Sequence, residues 1–141
     1  MGIWFRDFTL EELNAMNRGN LGEHLGIAFT GIGDDCLTAT MPVEGRTKQP
    51  AGLLHGGASV ALAEHLGSVA ANLCVDPDRA YCVGQEINAN HLRAVRSGVV
   101  TGVARPVHLG RSSQVWEIRI SAGEGELVCI SRLTMAVVER R

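Results

Sequence analysis

Residues 56–75 read GGASVALAEHLGSVAANLCV, and the fold turns on what this run becomes. It is rich in Ala, Leu and Val and contains no proline. It stops at Asp76-Pro77, where the residue before a proline is driven out of helical backbone geometry. Glu64 and His65 stand at its centre, where a bilayer would penalise them by several kcal/mol. The pattern therefore predicts one long buried helix over 58–75. Apolar nearly all round and lined with small residues, such a helix needs other elements against most of its surface.

Working outward, those elements are strands. Leu37, Ala39 and Met41 alternate with Thr38 and Thr40, the period of a half-buried strand, and a strand around 27–32 joins it through Gly33-Asp34-Asp35. After the helix, strand patterns run at 81–92, 98–108, 113–122 and 126–138, separated by Ser97-Gly98, Gly110-Arg111 and Gly123-Glu124-Gly125. Thr9-Leu-Glu-Glu12 fits a capping box, which predicts a short helix over 10–17, with a second turn over 20–26. Residues 43–54 lack periodicity and read as a loop. Two strands, one helix and four strands make an α+β domain over 1–141, an antiparallel sheet wrapped around one long central helix.

Composition bounds what such a domain does. With 141 residues, 45% of them hydrophobic, the chain excludes a disordered segment and can hold a core without metal or disulfide help. A net charge of −2 and a pI near 6.2 argue against a nucleic-acid binder. Cys36, Cys74, Cys82 and Cys129 form no CxxC pair, so neither a zinc site nor a redox motif is suggested; they read as reduced and mostly buried. The N-terminus has no signal-peptide core, which makes the cytoplasm the expected compartment.

Glu64 is the first candidate for chemistry. A carboxylate inside an apolar helix costs free energy unless it is paired, hydrogen-bonded or protonated, and no Lys or Arg lies between Gly56 and Val75. It is either a structural group at a subunit interface paired with an arginine from elsewhere or a functional carboxylate. Ser68, four residues on, shares its face. At the other end His55-Gly56-Gly57 leads into the helix, whose first-turn N–H groups can polarise a carbonyl oxygen. Gly56 and Glu64 lie about 12 Å apart along the axis at 1.5 Å per residue. One carbonyl cannot touch both within a chain, so if both are catalytic a second copy must complete the site. From Ile87 through Trp116 there is no Asp or Glu, while Arg93, Arg96, Arg105 and Arg111 all fall there. Arginine forks there suit phosphate oxygens, or keep edge strands soluble. The turn Gly110-Arg111-Ser112-Ser113 in the same stretch can offer N–H groups to an anion.

With HGGASVALAEHLGS at 55–68, Gln49-Pro50 upstream, and EINANH at 86–91 and HLGR at 108–111 downstream, the chain resembles the hotdog-fold acyl-CoA thioesterases over nearly its whole length. It is most similar to the bacterial branch that includes the 1,4-dihydroxy-2-naphthoyl-CoA thioesterase and the enterobactin-proofreading thioesterase. The resemblance implies a hotdog fold and hydrolysis of an aryl or medium-chain acyl-CoA. It implies Glu64 as nucleophile or general base, Gly56 N–H as oxyanion donor, Gln49 and His55 as orienting groups, and Ser68 as a helper. Gly84, His91, Leu92, Arg93 and Ala94, with His108, Leu109, Gly110, Arg111, Ser112 and Ser113, match segments that hold coenzyme A. No metal or cofactor is implied beyond the coenzyme A of the substrate; the partner is a second copy of the chain, and a dimer of dimers gives a homotetramer. His65 departs from the small polar residue expected there, which bears on the pocket's shape. A proofreading thioesterase on carrier-bound aryl groups, a hotdog dehydratase and a non-catalytic acyl-CoA binding module are the competing readings.

Overall fold

Leu62, Ala63, Leu66, Ala70 and Ala71 are fully buried along one helix, and the sheet bends around them. The computed structural model describes residues 2–141. In chain order the elements are α1 (Leu10–Ala15), α2 (Leu21–His24), β1 (Ala28–Ile32), β2 (Leu37–Pro42), a 3-10 turn (Gly45–Thr47), α3 (Gly56–Leu73), β3 (Ala80–His91), β4 (Val99–Leu109), β5 (Ser113–Ala122) and β6 (Glu126–Glu139). The strands form one antiparallel sheet in the order β1-β2-β4-β5-β6-β3, so β3 is an edge.

Local chemistry accounts for most boundaries. Thr9 Oγ1 accepts from Glu12 N–H and Glu12 reaches back to Thr9 N–H, the capping box expected from the sequence. The long helix begins at Gly56 rather than 58, because His55 caps it, and ends at Leu73, where Cys74 takes the C-cap. Likewise α1 stops at Ala15, two residues short of the expectation, and Met16 caps it. The predicted loop 43–54 holds the 3-10 turn and one antiparallel bridge between Lys48 and Leu54.

The core lies between α3 and the concave face of the sheet. Gly67 lets the two approach: a Cβ there would sit 2.7 Å from Leu133 Cδ2 and 3.3 Å from Ile118 Cδ1. Trp4 stacks on Trp116 with centroids 6.5 Å apart, closing the core under the N-terminal segment. All four cysteines are free; Cys82 and Cys129 are buried, whereas Cys36 and Cys74 are half-buried, fewer in the core than expected. Burial raises Cys74 to about 12 and Cys82 to about 11, so both stay protonated thiols at neutral pH. No described helix is long and apolar enough to cross a membrane.

Candidate active site

The site is built at the start of α3, where the loop from Thr47 is tied down by backbone bonds: His55 N–H donates to Thr47 O at 2.8 Å and Leu54 N–H to Val95 O at 2.7 Å. Of the first four N–H groups of α3, three are occupied. Gly57 N–H donates to His55 Nδ1 at 2.8 Å, and Ala58 and Ser59 N–H both donate to His55 O. Gly56 N–H alone has no partner among the described residues. With Nδ1 as acceptor, the neutral His55 ring carries its proton on Nε2.

Gly56 opens onto a cleft of about 360 Å³ whose polar wall is Gln49, Ser59, His91 and Arg93. His91 sits so close that a Cβ on Gly56 would lie 3.1 Å from its ring. Gln49 Oε1 accepts from Ala51 N–H, which leaves the Gln49 amide NH₂ as a donor. A carbonyl oxygen in this cleft would meet donors without any competing carboxylate.

Glu64 is elsewhere. Its Oε2 lies against β3, 2.7 Å from where a Cβ on Gly84 would stand, so only glycine leaves room for it there. Among the described residues Glu64 has neither a hydrogen bond nor an ion pair, and Ser68 does not bond to it. An arginine partner for Glu64, the structural reading at a subunit interface, is therefore not supplied by the described residues of its own chain. Gly84 is opposite Met135 and His91 is opposite Cys129 on β6, a spacing of six residues, about 20 Å of strand. The residues expected to act together thus form two groups within one chain: Gln49, His55, Gly56 and His91–Ala94 at one end of β3, Glu64, Ser68 and Gly84 toward the other.

The segment 108–113 belongs to neither. It closes the β4–β5 hairpin, with Gly110 N–H on Ser113 O and His108 packed over Gly110. Arg111 lines a separate cleft of about 590 Å³ beside Asp76, Asp78, Arg79 and Arg140. The acid-free stretch is therefore not one basic patch. Arg105 faces Glu117 across the β4–β5 register on the outer sheet surface, where Arg119 Nε also meets Glu117 at 3.2 Å. His65 does not shape the cleft either. Its Nε2 is 2.8 Å from Asn17 Oδ1 and its ring tilts on Phe29, so it fastens α3 to the α1–α2 connection. Burial lowers its pKa.

Sequence reasoning passed over Ser59 and Asn72. Ser59 lies one turn past Gly56 and is 2% exposed. Asn72 Oδ1 accepts from Cys82 N–H while its NH₂ donates to Cys82 O and Ser68 O, occupying the open edge of β3 at that residue. The i+8 spacing from Glu64 was the one available signal for Asn72.

The model of the thioesterase superfamily matches residues 51–129. The chain is 58% identical to the 1,4-dihydroxy-2-naphthoyl-CoA hydrolase of Escherichia coli over 136 residues, 96% of this chain and 99% of that one. It is also 58% identical to the proofreading thioesterase EntH of Cronobacter turicensis, over 96% of this chain and 98% of the other. Among solved structures, a thioesterase from Pseudomonas aeruginosa superposes with a TM-score of 0.97 at 57% identity, covering 99% of this chain and 100% of that one.

Proposed function

Since the chain belongs to the thioesterase superfamily and is a thioester hydrolase, we propose that it cleaves an aryl or medium-chain acyl-CoA to the free acid and coenzyme A, with each site shared between two copies of the chain. The observation that carries this reading is the Gly56 N–H, without a partner among the described residues, facing a cleft that none of the described carboxylates lines. The thioester carbonyl oxygen accepts from Gly56 N–H, with the Gln49 NH₂ beside it. Glu64 of the second copy either adds to the carbonyl carbon or takes a proton from the water that does. The tetrahedral oxyanion then collapses, the C–S bond breaks, and the thiolate leaves to be protonated as free coenzyme A; where Glu64 was the nucleophile, water then hydrolyses the acyl–Glu64 anhydride, releasing the acid and restoring the carboxylate.

The edge strand supports the two-chain arrangement. Leu92 N–H bonds to Val128 O, so after the irregularity between Gly84 and Glu86 the even residues of β3 face β6 and Ile87, Ala89 and His91 face the open edge. Before it the order is reversed, as Cys82 turns both backbone groups to Asn72 on the open side. A two-fold antiparallel pairing of β3 with a second β3 through Asn88 sets Ile87 opposite the other Ala89 and Gly84 opposite the other His91. Each Glu64 then stands level with the other chain's Gly56.

For the acyl group we take the apolar cleft between α1 and the end of α3, about 200 Å³, lined by Phe8, Leu13, Met16, Val69 and Leu73. A cavity of ~150 Å³ holds benzene, so this one suits an aryl or medium-length group. The test is free-thiol release from a panel of aryl- and alkyl-CoAs. Wild type is expected to turn over aryl esters, and Glu64→Gln to lose about 10²–10⁴-fold in kcat with its fold intact. Wild-type rates in Glu64→Gln would sink the mechanism; preference for the same acyl group on a carrier protein would move the substrate from coenzyme A to the carrier.

A further inference from the structure

We propose that the Ser59 hydroxyl is a second hydrogen-bond donor to the carbonyl oxygen of the thioester, one turn of helix from the Gly56 N–H. This rests on the active-site reading above and adds a residue to it.

Ser59 is 2% exposed and forms part of the cleft wall. Its hydroxyl has no hydrogen-bond partner among the described residues. No described side-chain polar atom that is sealed off lacks a partner. The unpartnered Ser59 oxygen is therefore not sealed off, and the opening beside it is the cleft. Inside a helix a serine hydroxyl usually satisfies itself by donating back to the carbonyl four residues earlier. Here that carbonyl is His55 O, which already accepts from Ala58 and Ser59 N–H.

The direction of the side chain fits the role. Helical Cα–Cβ bonds tilt toward the N-terminus, so Ser59 overlies the turn that begins at Gly56. Residues three apart are neighbours at about 5–6 Å, a separation from which two donors reach one oxygen at about 3 Å each. Beyond Gly56, Ser59 is the one residue of α3 among the described residues of the wall, so a carbonyl oxygen at Gly56 has Ser59 as its neighbour on the helix side. A serine is also a poorer helix former than alanine, and its hydroxyl makes no hydrogen bond with the described residues in return. No proton is transferred by Ser59: the hydrogen bond its hydroxyl donates to the oxygen strengthens as negative charge builds there, and weakens again when the C–S bond breaks.

The experiment is steady-state hydrolysis of the best acyl-CoA by Ser59→Ala and Ser59→Cys in the full oligomer, with thermal melting of each. A thiol is a weak donor of similar shape, so Cys separates hydrogen bonding from packing. The expected result is a kcat lower by about 10²–10³-fold in Ser59→Ala, a comparable loss in Ser59→Cys, KM within about twofold, and Tm unchanged or higher. A Ser59→Ala kcat within about threefold of wild type overturns the proposal, as does a raised KM with kcat retained, which would make the hydroxyl a ground-state contact. If Glu64→Gln is inactive while Ser59→Ala is not, the active-site reading stands and this inference alone fails. Absence of turnover in wild type overturns both.

Discussion

His55 Nδ1 accepts the Gly57 N–H at 2.8 Å, and that one bond leaves Gly56 N–H as the donor at the start of α3 that has no partner among the described residues. A Cβ on Gly57 would lie 2.9 Å from the same ring atoms, so cap and glycine depend on each other.

His55→Ala and Gly57→Ala are therefore expected to cost about 1 kcal/mol each, a Tm lower by roughly 3–5 °C, through loss of the cap. His55→Asn keeps an acceptor for the helix and recovers most of that stability. If His55→Asn melts no higher than His55→Ala, capping is not what the imidazole contributes.

Asn88 lies on the proposed two-fold axis of paired β3 strands, with its side chain exposed. Under mild oxidation Asn88→Cys should join two chains by a disulfide, visible as a dimer band without reductant, whereas Asn90→Cys, which faces the other chain's Glu86, should not. The reverse outcome would shift the register and separate Glu64 from the second Gly56.

A shared site also predicts complementation. Glu64→Gln and Gln49→Ala are each expected to be nearly inactive, and refolding them together should restore up to roughly a quarter of wild-type activity, because half of randomly paired dimers are mixed and each of those keeps one intact site. No recovery in verified mixed dimers would place both residues in a single-chain site.

Arg93 lines the Gly56 cleft and Arg111 a separate one, yet both are expected to meet phosphates of coenzyme A across the two-chain assembly. Arg→Ala at either position should raise KM for CoA esters several-fold, with little effect on a truncated thioester that lacks the nucleotide. Equal losses on both substrates would point to packing instead.

His65 provides a pH signature. Burial holds its pKa in the folded chain below the ordinary 6.5, so the neutral ring is the form the fold accepts. Above 6.5 both states are neutral and His65 contributes no pH dependence. As pH falls below 6.5 the unfolded chain takes up the proton first, and stability declines. His65→Gln keeps a donor for Asn17 and should flatten the fall of Tm between pH 6.5 and lower values; an unchanged slope would assign the acid sensitivity to other groups.

The helix, the strands and the lack of a cation partner for Glu64 on its own helix were legible in the residue pattern. Periodicity and caps act within a few positions, and a run without Lys or Arg has no local partner for a carboxylate. The separation of Gly56 from Glu64 was equally legible, because helical rise is a constant of the backbone. Tertiary structure alone decided the rest. It dispersed Arg93, Arg105 and Arg111 over two clefts and the outer sheet face, since strands of ten or more residues carry neighbours in sequence to opposite ends of the sheet. It turned His65 onto Asn17 and Phe29, 48 and 36 positions earlier in the chain, a pairing that no local pattern encodes. It also aimed Ser59 into the cleft and reversed the facing of β3 between Gly84 and Glu86, because both depend on how α3 and the sheet edge are registered against each other.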